Sequence, residues 1–226
     1  MGPAPRDVKS GRRYDSSGRL RAAERTRARV LDMARERFLA NGYAATTVAA
    51  IATAAGVSVE TIYKSYGGKA GLVRLLRDAA LRGSGPVPAE QRSDQQSAAA
   101  SDPREIIAGW GRLTSEVMPR VAPILLLVRA AAGADDEMAV VRRETDDGRL
   151  ERMAHNARYL VDGGHVRDGL GLEQVRDVLF AYSSPELYEL LVLRQGWPTD
   201  DYSRFVADGI AAAVLPPHLR CPPPSQ

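Results

Sequence analysis

The residues best suited to chemistry in this chain lie between positions 46 and 67, in the run TTVAAIATAAGVSVETIYKSYG. Ala52 is small enough for two helices to cross closely, and Gly56, four residues on, can take the positive φ of a sharp turn between them. Ile51, Ala55, Val57 and Ile62 supply an apolar face. Thr46 or Thr47 can cap a first short helix, Val48–Ala55, and Ser58 a second, Val59–Tyr66. With the apolar face inward, the second helix presents Val59, Glu60, Tyr63 and Lys64, with Thr61 at the margin. Such a helix can offer its N-terminal side chains to base edges in a DNA major groove.

Other chemistries find no set of residues. The chain contains no GxSxG, GxxxxGK[ST], HExxH or CxxC, and no GxGxxG following a strand. Asp146 and Asp147 are adjacent, so on a helix their carboxylates splay to different faces. Cys221 is the only cysteine, and His155, His165 and His218 are scattered, which argues against a metal site or a disulfide. No catalytic residue, cofactor or metal is expected.

The elements that must position the 46–67 run follow from punctuation and charge. Residues 1–82 hold 16 Lys and Arg against 7 Asp and Glu, a balance of +9, whereas residues 83–226 hold 15 against 21, a balance of −6. A basic block on an acidic remainder points to a polyanion as the partner of the first part. No stretch approaches the ~18 consecutive apolar residues of a membrane span, and the N-terminus has no apolar signal core, so a soluble cytoplasmic protein with no membrane partner is expected. Residues 1–20 read as a flexible basic arm and 21–82 as a helical DNA-binding domain. Within that domain a first helix runs from Arg21 to about Asn41 with a stop at Gly42, and a further one from Lys69 to about Arg82. Residues 83–101, rich in Pro, Gly, Ser and Gln, read as a linker. Residues 102–215 read as a helical regulatory and dimerisation domain, and 216–226 as a Pro-rich tail.

Within 102–215, Asp102 and Pro103 start a helix that Pro119 and Pro123 break; Ile124–Ala132 follows. A long helix runs from about Asp135 to Val161, then come Leu172–Tyr182, Pro185–Arg194 and Asp200–Val214. No alternating strand pattern occurs, so the fold class is all-α. Interrupted helices at Pro119, Pro123 and Ser184-Pro185 are expected to leave an apolar cavity, lined by Trp110, Met118, Leu125, Tyr159 and Phe180.

Residues 22–82 resemble the DNA-binding domain of tetracycline-repressor (TetR) family regulators. The likeness rests on FLANGYAATTV, on IATAAGVSVETIYKSYG and on GKAGLVRLL, in that order; SSPELYELLVLRQGW is similar to the C-terminal region of many members. The resemblance implies a three-helix helix–turn–helix domain and a homodimeric, ligand-responsive regulator, most often a repressor. Its partners would be a double-stranded DNA operator and a small-molecule effector, and Leu172–Arg194 with Asp200–Val214 would form the dimer bundle. It implies phosphate contacts by Thr46 and Thr47, and base contacts by Val59, Glu60, Thr61 and Tyr63, flanked by Ser58 and Lys64. Tyr66 and Lys69 would grip the DNA backbone. Ser65 stands where a histidine or aromatic is frequent, and Glu60 where glycine is frequent. Glu60 either accepts from cytosine N4 or is a solvated charge favoured by the helix dipole. The arm, with Lys9, Arg12, Arg13, Arg19 and Arg21, is either a minor-groove insert or a plain tail, and Arg25, Arg27 and Arg29 read as a solvated face with one phosphate contact rather than as a specific reader. The rival readings are an architectural, non-specific DNA-binding protein without an effector and a helical enzyme with an appended helix–turn–helix.

Overall fold

A computed structural model of the chain describes residues 16–219; most of the arm and Cys221 lie outside them. Ten α-helices make up the described residues, with no strand among them: α1 (Ser16–Ala45), α2 (Val48–Ala55), α3 (Val59–Tyr66), α4 (Gly68–Leu81), α5 (Ala89–Ala99), α6 (Pro103–Ala131), α7 (Asp136–Asp162), α8 (Leu172–Tyr182), α9 (Pro185–Tyr188) and α10 (Thr199–Val214). A π-helical segment, Glu189–Arg194, continues α9. Side-chain caps set several starts: Thr47, Ser58, Asp102, Asp135 and Ser184 each accept a backbone N–H of the helix that follows. The regular path of α1 breaks at Gly42 (φ 78°, ψ 168°), where its stop was expected.

Two apolar cores organise these helices. The first gathers Val30, Ala34 and Phe38 of α1, Ile51 and Ala55 of α2, Ile62 of α3, Leu72, Val73 and Leu76 of α4, and, from farther along the chain, Ile124, Val128, Met138 and Val141. The second lies between α6, α7, α8 and α10 and contains Trp110, Met118, Leu125, Leu160, Leu179, Tyr188 and Tyr202. Tyr202 is fully buried and its ring meets that of Tyr188 edge-on at 5.3 Å.

Two expectations are corrected. Pro119 and Pro123 do not break the helix, and α6 runs unbroken through both. A proline inside a helix costs about 3 kcal/mol, but Met118, Val121, Ala122, Ile124 and Leu125 are all buried around the pair. Burying each large apolar side chain contributes about 1.5–3 kcal/mol, so packing wins. The proposed linker is not plain coil either, since most of 83–101 is α5. Its composition hid it because its inward positions are only Ala89, Ser93 and Ser97. The long helix expected from about Asp135 to Val161 is present as α7, and its polar middle is helical, with Asp146 lying between Arg142 (3.7 Å) and Arg149 (3.8 Å) on its own helix.

One close approach fixes how α4 leaves the helix–turn–helix. A Cβ on Gly71 would sit 1.8 Å from the Tyr66 carbonyl oxygen, a distance only backbone movement could relieve. Gly71→Ala is therefore expected to destabilise the protein by about 1–3 kcal/mol or more, lowering the thermal midpoint by several degrees in a circular-dichroism melt. An unchanged midpoint would show that α3 and α4 can slide apart freely.

Candidate nucleic-acid interface

The turn between α2 and α3 is built as its sequence demands. Gly56 takes φ 64°, ψ 39°, and the next amide, of Val57, donates to Ala52 O at 3.0 Å. Ser58 Oγ accepts from Thr61 N–H at 3.1 Å and lies 2.8 Å from Thr61 Oγ1, so both hydroxyls are held at the start of α3. Ile62 is fully buried, which rotates the opposite face of α3 outward. Val59 and Tyr63 are 41% and 60% exposed, large apolar groups left in water by a helix that buries its other side. The Tyr63 ring rests on the Gly68 backbone, where an added Cβ would come within 3.2 Å of it. Lys64 Nζ pairs with Glu60 at 2.7 Å across one turn, both side chains being largely exposed. Such a pair is worth about 0.3–0.5 kcal/mol, so contact with a phosphate or a base can separate it at little cost.

The residues expected at the DNA backbone divide. Thr47 is exposed at the start of α2, its Oγ1 accepting from Ala50 N–H at 3.1 Å beside the free N–H groups of the first turn. Thr46 is only 2% exposed, and its hydroxyl donates to Gly42 O (2.8 Å) and Arg37 O (3.0 Å), closing the end of α1. Tyr66 is packed into the first core, because it follows Ile62 by one turn on the buried face. Lys69 is half-buried, with Nζ 4.0 Å from the centre of the Tyr43 ring. Burial, and then the nearby Asp135 and Glu137, push the Tyr43 hydroxyl up to about 12. Tyr43 therefore stays neutral beneath the ammonium. A residue that the sequence reading left on a solvated face also matters: Arg29 Nε donates to Ala55 O at 2.7 Å and ties α1 to the end of α2.

The five residues expected around an apolar cavity do not share one. Trp110, Met118 and Leu125 are buried in the second core, Tyr159 is half-buried at its edge, and Phe180 is half-buried apart from it. Phe180 lies under the Arg149 guanidinium at 3.4 Å. With α6 unbroken, the core closes over the space that two helix ends would have left. A cleft of about 750 Å³ instead lies between the end of α5, the start of α6 and α10, with Gln96, Asp102, Arg112 and Asp208 among its lining.

Residues 30–76 match the model of a family described as bacterial regulatory proteins, tetR family. Among solved structures, the chain is similar to SmeT, the repressor of the Stenotrophomonas maltophilia multidrug efflux pump SmeDEF, at 17% identity, covering 87% of this chain and 93% of that one, TM-score 0.65. It is similar also to NalD, the secondary repressor of the MexAB-OprM multidrug efflux pump in Pseudomonas aeruginosa, at 17% identity, covering 86% and 98%, TM-score 0.66. A third is a regulator from Saccharomonospora viridis in complex with choline, at 19% identity, covering 86% and 99%, TM-score 0.63. At these identities the likeness is one of fold. No curated protein matches the chain. Fold and exposed recognition helix together define a helix–turn–helix DNA-binding regulator. Over residues 30–76 the N-terminal domain is that of the tetR family of bacterial regulatory proteins.

Because Tyr63 and Lys64 are exposed, replacing either with alanine is expected to move the melting midpoint little while strongly weakening binding to the target DNA in a fluorescence-anisotropy titration. Glu60→Ala separates its two readings. Loss of cytosine readout relaxes specificity at one base position by about 1–3 kcal/mol, whereas removal of a merely repelling charge tightens binding to every sequence alike.

Proposed function

We propose that the chain works as a homodimeric repressor, held on a palindromic operator and released by a small molecule with an apolar body. The observation that carries this reading is the outward face of α3, with Val59, Glu60, Tyr63 and Lys64, mounted on a core that also contains Ile124 and Val128 of α6. A rearrangement of α6 in the second domain would reach the recognition helix through shared packing, without any separate relay. Two relatives in fold support a small-molecule effector: SmeT has been solved as a triclosan complex, and the Saccharomonospora viridis regulator with choline. Triclosan is an apolar aromatic compound, and the second core here is likewise dominated by apolar and aromatic side chains. A ligand of this kind releases DNA only by the difference in its affinity for the two shapes of the protein.

An exposed apolar patch supports the dimer. Leu190 and Leu193 of the π-helical segment, Trp197 in the turn after it, and Phe205 of α10 are 49%, 52%, 36% and 37% exposed. Trp197 and Phe205 meet edge-on at 5.7 Å. A two-fold axis through this patch would bury it against its own copy, within the helices α8 to α10 expected to form the bundle. To engage successive major-groove faces, such a dimer must hold its two α3 helices ~34–36 Å apart.

Leu193→Glu is accordingly expected to convert the protein to a 24.5 kDa monomer in sedimentation or light-scattering measurements, and to abolish binding to a two-half-site operator. A dimer that survives this change would move the interface elsewhere. With a charge of +9 on residues 1–82, affinity for DNA should fall steeply as salt rises, since phosphate contacts release counterions. A footprint confined to one palindrome supports the repressor reading, and uniform coverage of the DNA would replace it with a non-specific binder.

A further inference from the structure

Helix α5 is held in an unusual way. Its inward positions are Ala89, Ser93 and Ser97, so it contributes almost no apolar side chain to the second core. Polar contacts fasten it at both ends and in the middle. Arg92 forms a two-pronged pair with Glu116 of α6, at 2.7 and 2.9 Å, and Glu116 also accepts from the Ser84 N–H and hydroxyl, each at 3.0 Å. That arrangement, the Arg92 hydrogen bond foremost, holds the Glu116 carboxyl down at about 2. Asp94 receives Arg152 at 2.7 Å and His155 at 3.1 Å from α7, and Arg152 reaches Glu90 at 3.2 Å. Trp110 of α6 donates its indole N–H to Ser97 Oγ at 3.0 Å. Partly exposed ion pairs add little to stability, and small residues bury little apolar area. Of the helices packed on the second core, α5 is therefore the one that can come away without breaking that core.

Beneath it lies an unfinished polar seam. Ser93 and Asn156 are 4% and 6% exposed, and Ser93 Oγ and Asn156 Oδ1 have no hydrogen-bond partner among the described residues. Ser93 lies on the inner face of α5 and Asn156 on α7, each one residue from the Asp94–His155 contact that joins the two helices. A buried polar atom without a partner is costly, and here one lies on the inner face of α5 and another on the helix that α5 is fastened to. The cleft bordered by Gln96, Ala99 and Ala100 of α5 opens along the same helix.

Resting on the effector reading above, we propose that α5 is a lid over the effector site. It lifts from α6 and α7 to admit a flat apolar molecule carrying one hydrogen-bond donor, a hydroxyl or an amine, whose hydrogen Asn156 Oδ1 accepts. The lid accounts for a site that is closed in this structure, and the seam adds a polar requirement to an otherwise apolar ligand.

The test uses the full-length protein, and Trp197→Phe, which leaves Trp110 as the only tryptophan, is used for the quenching measurement alone. The probe is N-phenyl-1-naphthylamine, flat and apolar with one N–H, and its control is 1-phenylnaphthalene, which lacks the donor. Hydrogen exchange at residues 89–99 is expected to be at least about tenfold faster than in α6 and α10, and to slow when the amine binds. Asp94→Asn, or Glu116→Gln at the other fastening, should accelerate exchange in α5 alone and expose Trp110 to acrylamide quenching. Asn156→Ala should weaken the amine about tenfold, the worth of one hydrogen bond, and leave the hydrocarbon's affinity unchanged. Exchange in α5 as slow as in α6 and insensitive to both fastening variants would overturn the lid. Equal losses for amine and hydrocarbon, or no binding of either, would overturn the assigned ligand class. The effector reading fails separately: if the amine binds under α5 as described but operator affinity does not change, the site stands and the release mechanism falls. If the amine releases the operator while α5 and Asn156 prove irrelevant, the lid falls and the release mechanism stands.

Discussion

The rest of the structure depends on the double membership of α6. Its 29 residues extend about 43 Å at the helical rise, from Ile106, Ile107 and Trp110 in the second core to Ile124 and Val128 in the first. Neither core is complete without it. The DNA-binding helices close over Ile124 and Val128 together with Met138 and Val141 of α7, so the helix–turn–helix is a unit with the α6–α7 corner and not a bead on a string. Arg74 of α4 reinforces that union by gripping Glu144 of α7 at 2.8 and 3.0 Å, and Arg77 adds a bond to Thr145 at 3.1 Å. The Glu144 hydrogen bond holds the Arg74 guanidinium more firmly protonated still.

Rigidity at the DNA surface has a similar economy of means. The recognition helix has only eight residues, too short to persist by itself in water, and the surrounding contacts define its orientation. Ser58 caps it, Ile62 and Tyr66 bury its inner face, and Gly71 lets α4 pass close behind. Thr46 and Arg29 finish the carbonyls at the ends of α1 and α2. These polar groups act within the domain, whereas Val59, Glu60, Tyr63 and Lys64 stay exposed on the outer face of α3.

What was legible in the sequence followed the range of the interactions concerned. Both short helices of the helix–turn–helix have the predicted bounds, because Thr47, Ser58, Gly56 and Gly67 act on residues at most four away. The unbroken path of α6 was not legible, since the packing that outweighs Pro119 and Pro123 comes from residues elsewhere in the chain. α5 was missed for the same reason: Glu116 lies 24 residues from Arg92, and Arg152 lies 58 from Asp94. For the candidate site, outward residues of α3 could be read from periodicity, whereas Thr46 and Thr47 are equivalent in sequence until the end of α1 claims one of them. The partner of Arg29 stands 26 residues away, and no local pattern marks it.

The two prolines sit where the cores meet, with Met118, Val121, Ala122 and Leu125 belonging to one and Ile124 and Val128 to the other. Each proline lacks the N–H that would bond the preceding turn, so this stretch of α6 relies on side-chain packing more than on its backbone ladder. A helix built that way is stiff while both cores are packed and yields first where the ladder is thin. Opening the second core beneath α5 would loosen the packing on one side of the prolines only. The strain then falls on Ile124 and Val128, whose partners are the buried residues of α1 to α4. Coupling between a distant site and the recognition helix thus needs no chain of specific contacts. It needs one helix shared by two cores, and a weak point placed between them.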